Sequence, residues 1–335
     1  SGQFTDPLST PLSELERRIR DYMEEQDNPE FKVELSAQLE RCGAIRHSIA
    51  EFIAMEQENS VYWVEGKTGT QTGGSTVELF SAPLNVAEIL GKILFSQTFP
   101  VVLTSATLAV NSSLDFYTAR VGFHNGENLI LNSPFDYWKQ VKLFLAKTMP
   151  APMEECFNNA ASAAIEDFIK LSDGHAFVLF TSYGMLRTCA ENLSRFFRGN
   201  HYQLFIHGES LSRTAMLNEF KQSKNGVIFG TSSFWTGVDV PGDALKNVII
   251  TKLPFAVPNH PLTEARCDRI TAAGGRPFED FSIPNAVLMF RQGIGRLIRS
   301  KTDTGIIVVL DPRVVTKYYG RIFLNSIPRC PVEYF

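Results

Sequence analysis

Cysteine is scarce in this 335-residue chain. The five present, at positions 42, 156, 189, 267 and 330, are far apart, show no metal-ligand spacing and read as reduced structural thiols. No apolar run approaches the roughly 20 residues needed to span a bilayer, and the N-terminus has no signal-peptide architecture, so no membrane partner is expected. Positive charge is not in excess either: the formal net charge is −4, which argues against a protein that simply coats polyanions. A phosphate-cradling Gly-x-x-x-x-Gly-Lys-Ser/Thr loop leading into a helix is missing. Gly66-Lys67-Thr68 imitates its end, but the leading glycine position holds Val61, and Gly69 to Gly74 runs into the strand-like stretch Thr76 to Phe80. A hairpin loop is the expected structure there. No Asp-Glu-x-His strand end appears, and no set of carboxylates has the ligand spacing a nuclease needs, so no metal site is expected.

What is present is enough for a sizeable core plus an appendage, with 44% of residues hydrophobic. Charge is unevenly spread. Residues 1 to 60 carry thirteen acidic side chains against six basic ones, whereas Arg291 to Arg321 carries seven Lys/Arg against Asp303 and Asp311. Contact with a polyanion is therefore expected to be local, a groove rather than a basic surface.

Residues 8 to 57 have helical periodicity in two runs, Leu12, Leu15, Ile19 and Tyr22, then Val33, Leu35, Leu39, Ile45, Ile49 and Ile53, separated by Asn28-Pro29. The short connection predicts an antiparallel helical pair. Val61 to Glu65 and Val77 to Phe80 read as strands, and Asn85 to Phe95 as a helix leading to a buried strand at Val101 to Leu103. From about Pro134 short apolar strands alternate with helices: strands at 141–146, 176–180, 202–206, 226–230, 248–251 and 305–310, helices at 154–171, 185–197, 211–221 and 285–299. This predicts a parallel sheet covered by helices on both faces.

The most informative segment runs from Gln292 to Arg299. Gln292, Arg296 and Arg299 fall at i, i+4, i+7 on the predicted helix, with Val287, Phe290, Ile294, Leu297 and Ile298 as an apolar stripe on the other side and both guanidiniums outward. Arginine suits such a position because its planar fork is always charged and grips phosphate oxygens bidentately. Alone, two arginines on a helix are more often a solvated surface. Three further segments occur in the same order: Thr104 to Leu108 (Thr-Ser-Ala-Thr-Leu) after the Val101 run, Phe180 to Tyr183 after Ala176 to Leu179, and Gly230 to Gly242.

Together these resemble motifs III, IV, V and VI of superfamily 2 helicases. Ser233 to Gly242 (Ser-Phe-Trp-Thr-Gly-Val-Asp-Val-Pro-Gly), Lys252 to Phe255, Asn259 to Leu262, Arg296 to Arg299, Leu310 to Arg313 and the ending Pro328 to Phe335 are similar to the DinG branch of the XPD/DinG family. The resemblance covers the chain from about residue 60 onward. It implies a C-terminal motor half: residues 1–59 the end of an arch-like helical insertion, 60–133 the returning part of helicase lobe 1 with motif III, and 134–335 a RecA-like α/β lobe 2.

The activity so implied is ATP hydrolysis coupled to translocation on single-stranded DNA, 5′-to-3′, with ATP and Mg2+ shared with a lobe 1 whose nucleotide-binding elements precede this region; the fragment alone is expected to be inactive. By resemblance Arg296 and Arg299 contact the γ-phosphate with Gln292 holding the arrangement, Gly237 and Asp239 face the nucleotide, and Ser105 and Thr107 couple nucleotide state to DNA contact. A sequence-tolerant strand binder needs phosphate donors and flat stacking groups. Thr181, Ser182, Tyr183, Ser232, Ser233, Phe234, Trp235, Phe255 and Arg266 are the candidates, with one of Phe234 and Trp235 packed inward. His260 is expected to stiffen its loop. The implied partners are single-stranded DNA or a forked duplex and the missing N-terminal lobe, in a bacterial cytoplasm at the nucleoid. The start Ser1-Gly2, without Met, fits an expression scar or an internal cut. Relatives often carry an iron–sulfur cluster, with ligands upstream of this region. The motifs do not report sugar type, so an RNA helicase, or a nucleic-acid-binding module without a motor, remain alternatives.

Overall fold

The computed structural model describes residues 5–68, 75–209, 211–237 and 242–335, which divide into two compact units: residues 1–89 with 258–269, and residues 90–257 with 270–335.

The first unit begins with helices α1 (Ser9–Glu24) and α2 (Pro29–Ala54). Asn28 begins α2 with its side chain accepting from the Glu30 and Phe31 amides, and Pro29 occupies the first helical position, where its missing N–H costs nothing. The expected helical pair forms, tied by Arg46 donating to Glu16 at 2.7 Å and by the Cys42 thiol against the Leu12 carbonyl. Strands β1 (Ser60–Thr68) and β2 (Ser75–Pro83) pair antiparallel with Ser60 opposite Pro83 and Thr68 opposite Ser75. Gly66-Lys67-Thr68 therefore lies on a hairpin strand; the turn Gly69 to Gly74 lies outside the described residues. His260 sets its ring edge-on to Trp63 at 5.4 Å, and its carbonyl accepts from the Thr263 and Glu264 amides. A loop-fixing role accounts for both contacts.

Helix α3 (Ala87–Leu90) is followed by α4 (Asp115–Val121), α5 (Tyr137–Gln140) and then the α/β series: β3 (Val141–Leu145), α6 (Phe157–Leu171), β4 (Ala176–Leu179), α7 (Tyr183–Asn192), α8 (Ser194–Gly199), β5 (Gln203–Ile206), α9 (Arg213–Gln222), β6 (Gly226–Gly230), α10 (Ser232–Trp235), β7 (Asn247–Ile250), α11 (Pro261–Ala272), α12 (Ile283–Ile294), β8 (Gly305–Val309), α13 (Arg313–Thr316), α14 (Gly320–Asn325) and β9 (Val332–Tyr334). The seven strands of the second unit form one sheet in the order β5-β6-β4-β7-β8-β3-β9, every neighbouring pair parallel. Alternate residues serve opposite faces. Phe177, Leu179, Ile228, Val248, Ile250, Ile307 and Val309 enter one core with Trp235, Phe290 and Phe323, while Ala176, Val178, Phe229, Ile249 and Val308 enter the other with Phe157, Ile165, Phe168 and Leu186. Burial on both faces is why these strands read as continuous apolar runs instead of alternating ones.

Val101 to Leu103 departs from expectation. It forms no strand, and Val102 is 85% exposed. A strand acquires its stability from a hydrogen-bonded neighbour, and among the described residues none pairs with this segment. The expected helix 285–299 is also shorter, for a reason that shapes the site.

Candidate functional site

Parallel α/β sheets present ligands at the carboxyl ends of their strands. In the second unit those ends carry Thr181, Ser182 and Tyr183 after β4, His207 after β5, and Thr231 and Ser233 after β6. Tyr183 is exposed, Ser233 and Thr181 are half-buried, and Thr231 is buried. Ser182 accepts the Met185 amide at 3.3 Å and so caps α7.

His207 is the junction of this edge, and the motif comparison overlooked it. Its Nδ1 lies 2.7 Å from Thr231 Oγ1 and 3.2 Å from the Tyr183 hydroxyl, and its Nε2 lies 3.2 Å from Ser233 Oγ. Gly208 makes the approach of Tyr183 feasible: its φ is +89°, and a Cβ there would meet the Tyr183 ring at 3.1 Å. Burial pushes the imidazole below its ordinary pKa, and the nearby Arg213 cation adds to that. The detectable signal was a His-Gly pair directly after a predicted strand.

Arg213, also not anticipated, donates to the Thr236 carbonyl at 2.7 Å and the Gly237 carbonyl at 2.6 Å, with its guanidinium over the Phe234 ring. Gly237 adopts a positive φ of 63°, so the segment after α10 turns sharply and is held by a cation. Asp239 and the side chain of Ser232 lie outside the described residues.

Two of the expected stacking residues lie in the core instead of one. Phe234 and Trp235 are both buried, at 0% and 1% exposure. They sit on one short helical turn, where neighbours diverge by about 100° and can both reach a core. Phe234 packs edge-on to Phe177 and His207, and the Trp235 indole donates to the Phe180 carbonyl at 3.1 Å. Phe255 is half-buried, stacked on Phe278 at 5.6 Å. Arg266 belongs to the other unit, where Nε donates to the Leu84 carbonyl at 3.3 Å and burial lowers its pKa.

Helix α12 stops at Ile294, so Gln292, Arg296 and Arg299 do not share one helical face. Gly293 and Gly295 explain the early end, since glycine disfavours helix by about 1 kcal/mol relative to alanine. Gly293 is required by packing, because a Cβ there would lie 2.9 Å from Trp235 Cε3 and 3.1 Å from Leu179 Cδ1. Beyond the helix Arg296 turns inward. It is 6% exposed and its Nη2 donates to the Trp235 carbonyl at 2.6 Å, contrary to the expected outward guanidinium. Arg299 is exposed, and its amide donates to Asp303 Oδ2 at 2.7 Å. Burial raises the Asp303 pKa, but hydrogen bonds from Ser300 and from the Arg299 and Ser300 amides outweigh it and hold the carboxyl low.

We expect Gly293→Ala to lose about 1–3 kcal/mol by overpacking, because Trp235 is pinned by its indole hydrogen bond and cannot retreat. Chemical denaturation reads this, and a variant as stable as wild type would contradict the packing argument.

The segment Thr104 to Ala109 is held from the same helix. Arg291 donates to the Ala109 carbonyl and, at 3.2 Å, to the Ala106 carbonyl, while Gln292 Nε2 reaches Thr107 Oγ1 at 3.3 Å. Ser105 Oγ accepts the Thr107 amide at 3.2 Å. Arg291 is the residue here that sequence inspection missed. Burial lowers its pKa by disfavouring the charged form.

Among the described residues no group of three His, Cys, Asp or Glu is placed to hold a metal ion, and no helix is long and apolar enough to cross a membrane.

Comparison with known proteins places these features in a context. Residues 165–330 match the family described as the helicase C-terminal domain. The chain is 36% identical over 298 residues to the ATP-dependent DNA helicase YoaA of Escherichia coli K12, covering 89% of this chain and 45% of that protein. It is 36% identical over 288 residues to the protein named 3′-5′ exonuclease DinG of Bacillus subtilis, covering 84% of this chain and 31% of that one. The chain thus spans less than half the length of these relatives. A solved XPD helicase structure superposes with a TM-score of 0.59 at 13% identity, covering 98% of this chain and 67% of that one, a likeness of fold.

Proposed function

Because the chain belongs to the DinG-like branch of the XPD/DinG family, we propose that it is the C-terminal motor half of an ATP-dependent DNA helicase that moves 5′-to-3′ on single-stranded DNA. The observation that carries the reading is the bond between Gln292 and Thr107. It joins the motif VI helix to the motif III segment inside one unit whose strand ends also present motifs IV and V. A motor needs such a link, because a change sensed by one segment must reach another through packed, hydrogen-bonded groups.

ATP, with Mg2+, supplies the phosphoryl group whose transfer to water drives the cycle. On this chain Arg299 is the charged, exposed side chain suited to a γ-phosphate, and Gly237, held open by Arg213, offers a close backbone approach. Arg296 supports these two from inside by fixing the Trp235 carbonyl. The remaining nucleotide-binding groups, and any iron–sulfur cluster, belong to the part of the family's length that this chain does not span. Single-stranded DNA is assigned to the strand ends bearing Thr181, Tyr183, Ser233 and His207. Phe234 and Trp235 shape that edge from behind. The cellular site assigned is the bacterial cytoplasm, at the nucleoid.

The test is DNA-stimulated ATPase and unwinding by the intact protein. Turnover stimulated by single-stranded DNA above single-stranded RNA, with unwinding of a 5′-tailed duplex, is the expected result. Unwinding only from a 3′ tail overturns the polarity. Inactivity with every nucleic acid overturns the motor and leaves a binding module.

A further inference from the structure

The ends of β4 and β6 place three hydroxyl groups on one imidazole, which the end of β5 supplies. Thr231 Oγ1 and the Tyr183 hydroxyl lie at 2.7 and 3.2 Å from His207 Nδ1, and Ser233 Oγ lies at 3.2 Å from Nε2. The hydrogen-bond inventory of this cluster cannot be indifferent to protonation. A neutral imidazole has one N–H donor and one lone-pair acceptor, an imidazolium has two donors and no acceptor. In the neutral ring, then, one hydroxyl spends its hydrogen on the acceptor nitrogen. In the imidazolium both ring nitrogens donate inward, every hydroxyl oxygen near them is an acceptor, and each hydroxyl hydrogen is released to point elsewhere.

Outward from this cluster is the exposed edge, since Tyr183 is 44% exposed and Ser233 is half-buried. We propose that His207 is the positioning residue of the nucleic-acid face: anchored from behind by the buried Thr231 hydroxyl, it sets the Tyr183 and Ser233 hydroxyls toward a backbone phosphate, and arrival of that phosphate is coupled to uptake of one proton by the imidazole. This rests on the assignment of that edge to single-stranded DNA. The groups facing His207 are the Tyr183 phenol from α7, Arg213 from α9, and Thr231, Ser233 and the Phe234 ring from the end of β6 and α10. Among the described residues that face it none is a carboxylate, so none of them stabilises a charge on the ring. A phosphate is the missing counter-ion.

The sign of the pH dependence follows. Burial and Arg213 keep the free imidazole's pKa low, and a bound phosphate raises it. Above the bound-state value both forms are neutral and affinity is flat. As pH falls between the two values, binding takes up a proton and tightens, and below the free-state value it levels off. One unit of difference corresponds to about tenfold in affinity.

The experiment is fluorescence anisotropy of a labelled oligo-dT with the intact protein from pH 8 to pH 5.5, at fixed ionic strength because phosphate contacts are salt-dependent. Wild type is expected to tighten by about three- to tenfold toward acid, the range a shift of half to one unit produces. His207→Gln keeps a donor and an acceptor but cannot charge, and is expected to be flat over the same window and weaker at its acid end. Circular dichroism checks its fold, and His207→Asn replaces it if it fails. A folded variant with the wild-type profile overturns the role of His207 while leaving DNA binding intact. Absence of binding and of ATPase in wild type overturns the proposed function and this inference with it.

Discussion

Arg299→Ala in the intact protein is expected to leave a folded chain whose DNA-stimulated ATPase has fallen by about 10³ or more, the range an arginine finger supplies in related phosphoryl-transfer enzymes. Such a loss is about 4 kcal/mol or more of transition-state stabilisation, far above the few tenths expected for an ordinary exposed arginine. The main chain at Arg299 is held by bonds that do not depend on its side chain, although the guanidinium charge also helps to keep Asp303 ionised. The Arg299 amide and that of Ser300 donate to Asp303 Oδ2 at 2.7 and 2.8 Å, and Ser300 Oγ donates to the other carboxylate oxygen. Alanine keeps all of these. Steady-state turnover at saturating single-stranded DNA, beside a thermal melt, reads the prediction, and a kcat within tenfold of wild type removes Arg299 from the reaction.

Arg296→Ala has to be read differently. That side chain is buried and donates to the Trp235 carbonyl, so its removal strands a buried acceptor at a cost of about 1–3 kcal/mol. Loss of ATPase in Arg296→Ala accompanied by lost stability locates Arg296 in the support of the site. At Arg299 the main-chain bonds survive truncation, so a thermal melt beside the turnover separates chemistry from folding. Lysine at 296 does not rescue cheaply either, because a compact ammonium lacks the planar fork that reaches the carbonyl.

The sheet was legible because burial on both faces leaves unbroken apolar runs, and the helical pair because Asn28-Pro29 is a helix start in chemistry as well as in pattern. Where the reading went astray, one apolar pattern served two structures. Leu297 and Ile298 continue the apolar stripe of α12, yet both are core residues in irregular backbone beyond the helix end. Gly293 and Gly295 were the countervailing signal. Val101 to Leu103 has the composition of a strand but no partner to bond among the described residues. Adjacency suggests that one of Phe234 and Trp235 faces the nucleic acid while the other packs inward, whereas the short helical turn buries both. His207 was invisible for another reason. Its three hydroxyl partners come from segments 24 to 26 residues away, and only the parallel arrangement of β4, β5 and β6 brings them together.

Asp311→Ala is expected to cost about 3 kcal/mol of stability, the lower end for breaking a buried ion pair by removing one partner. Asp311 is fully buried just beyond β8. Its carboxylate accepts the Leu253 amide at 2.8 Å, the Arg313 amide at 3.0 Å, and the Arg313 guanidinium through Nε and, at 2.6 Å, Nη2. One side chain thus fastens the chain leaving β8 to the chain leaving β7. Lys252 stands in the same field: burial lowers its pKa, Asp311 opposes that, and Arg313 reinforces it. Removing the carboxylate leaves two cations facing one another and an unbonded Leu253 amide. The cost stays at the lower end because the Arg313 side chain keeps 28% exposure and can turn toward water. Over a unit of this size the loss lowers Tm by roughly 6–12 °C. If the stranded charge is the main penalty, Asp311→Ala with Arg313→Ala together is more stable than the single variant; if the Leu253 bond dominates, the second substitution recovers nothing. A single variant within 1 kcal/mol of wild type denies the pair its structural role.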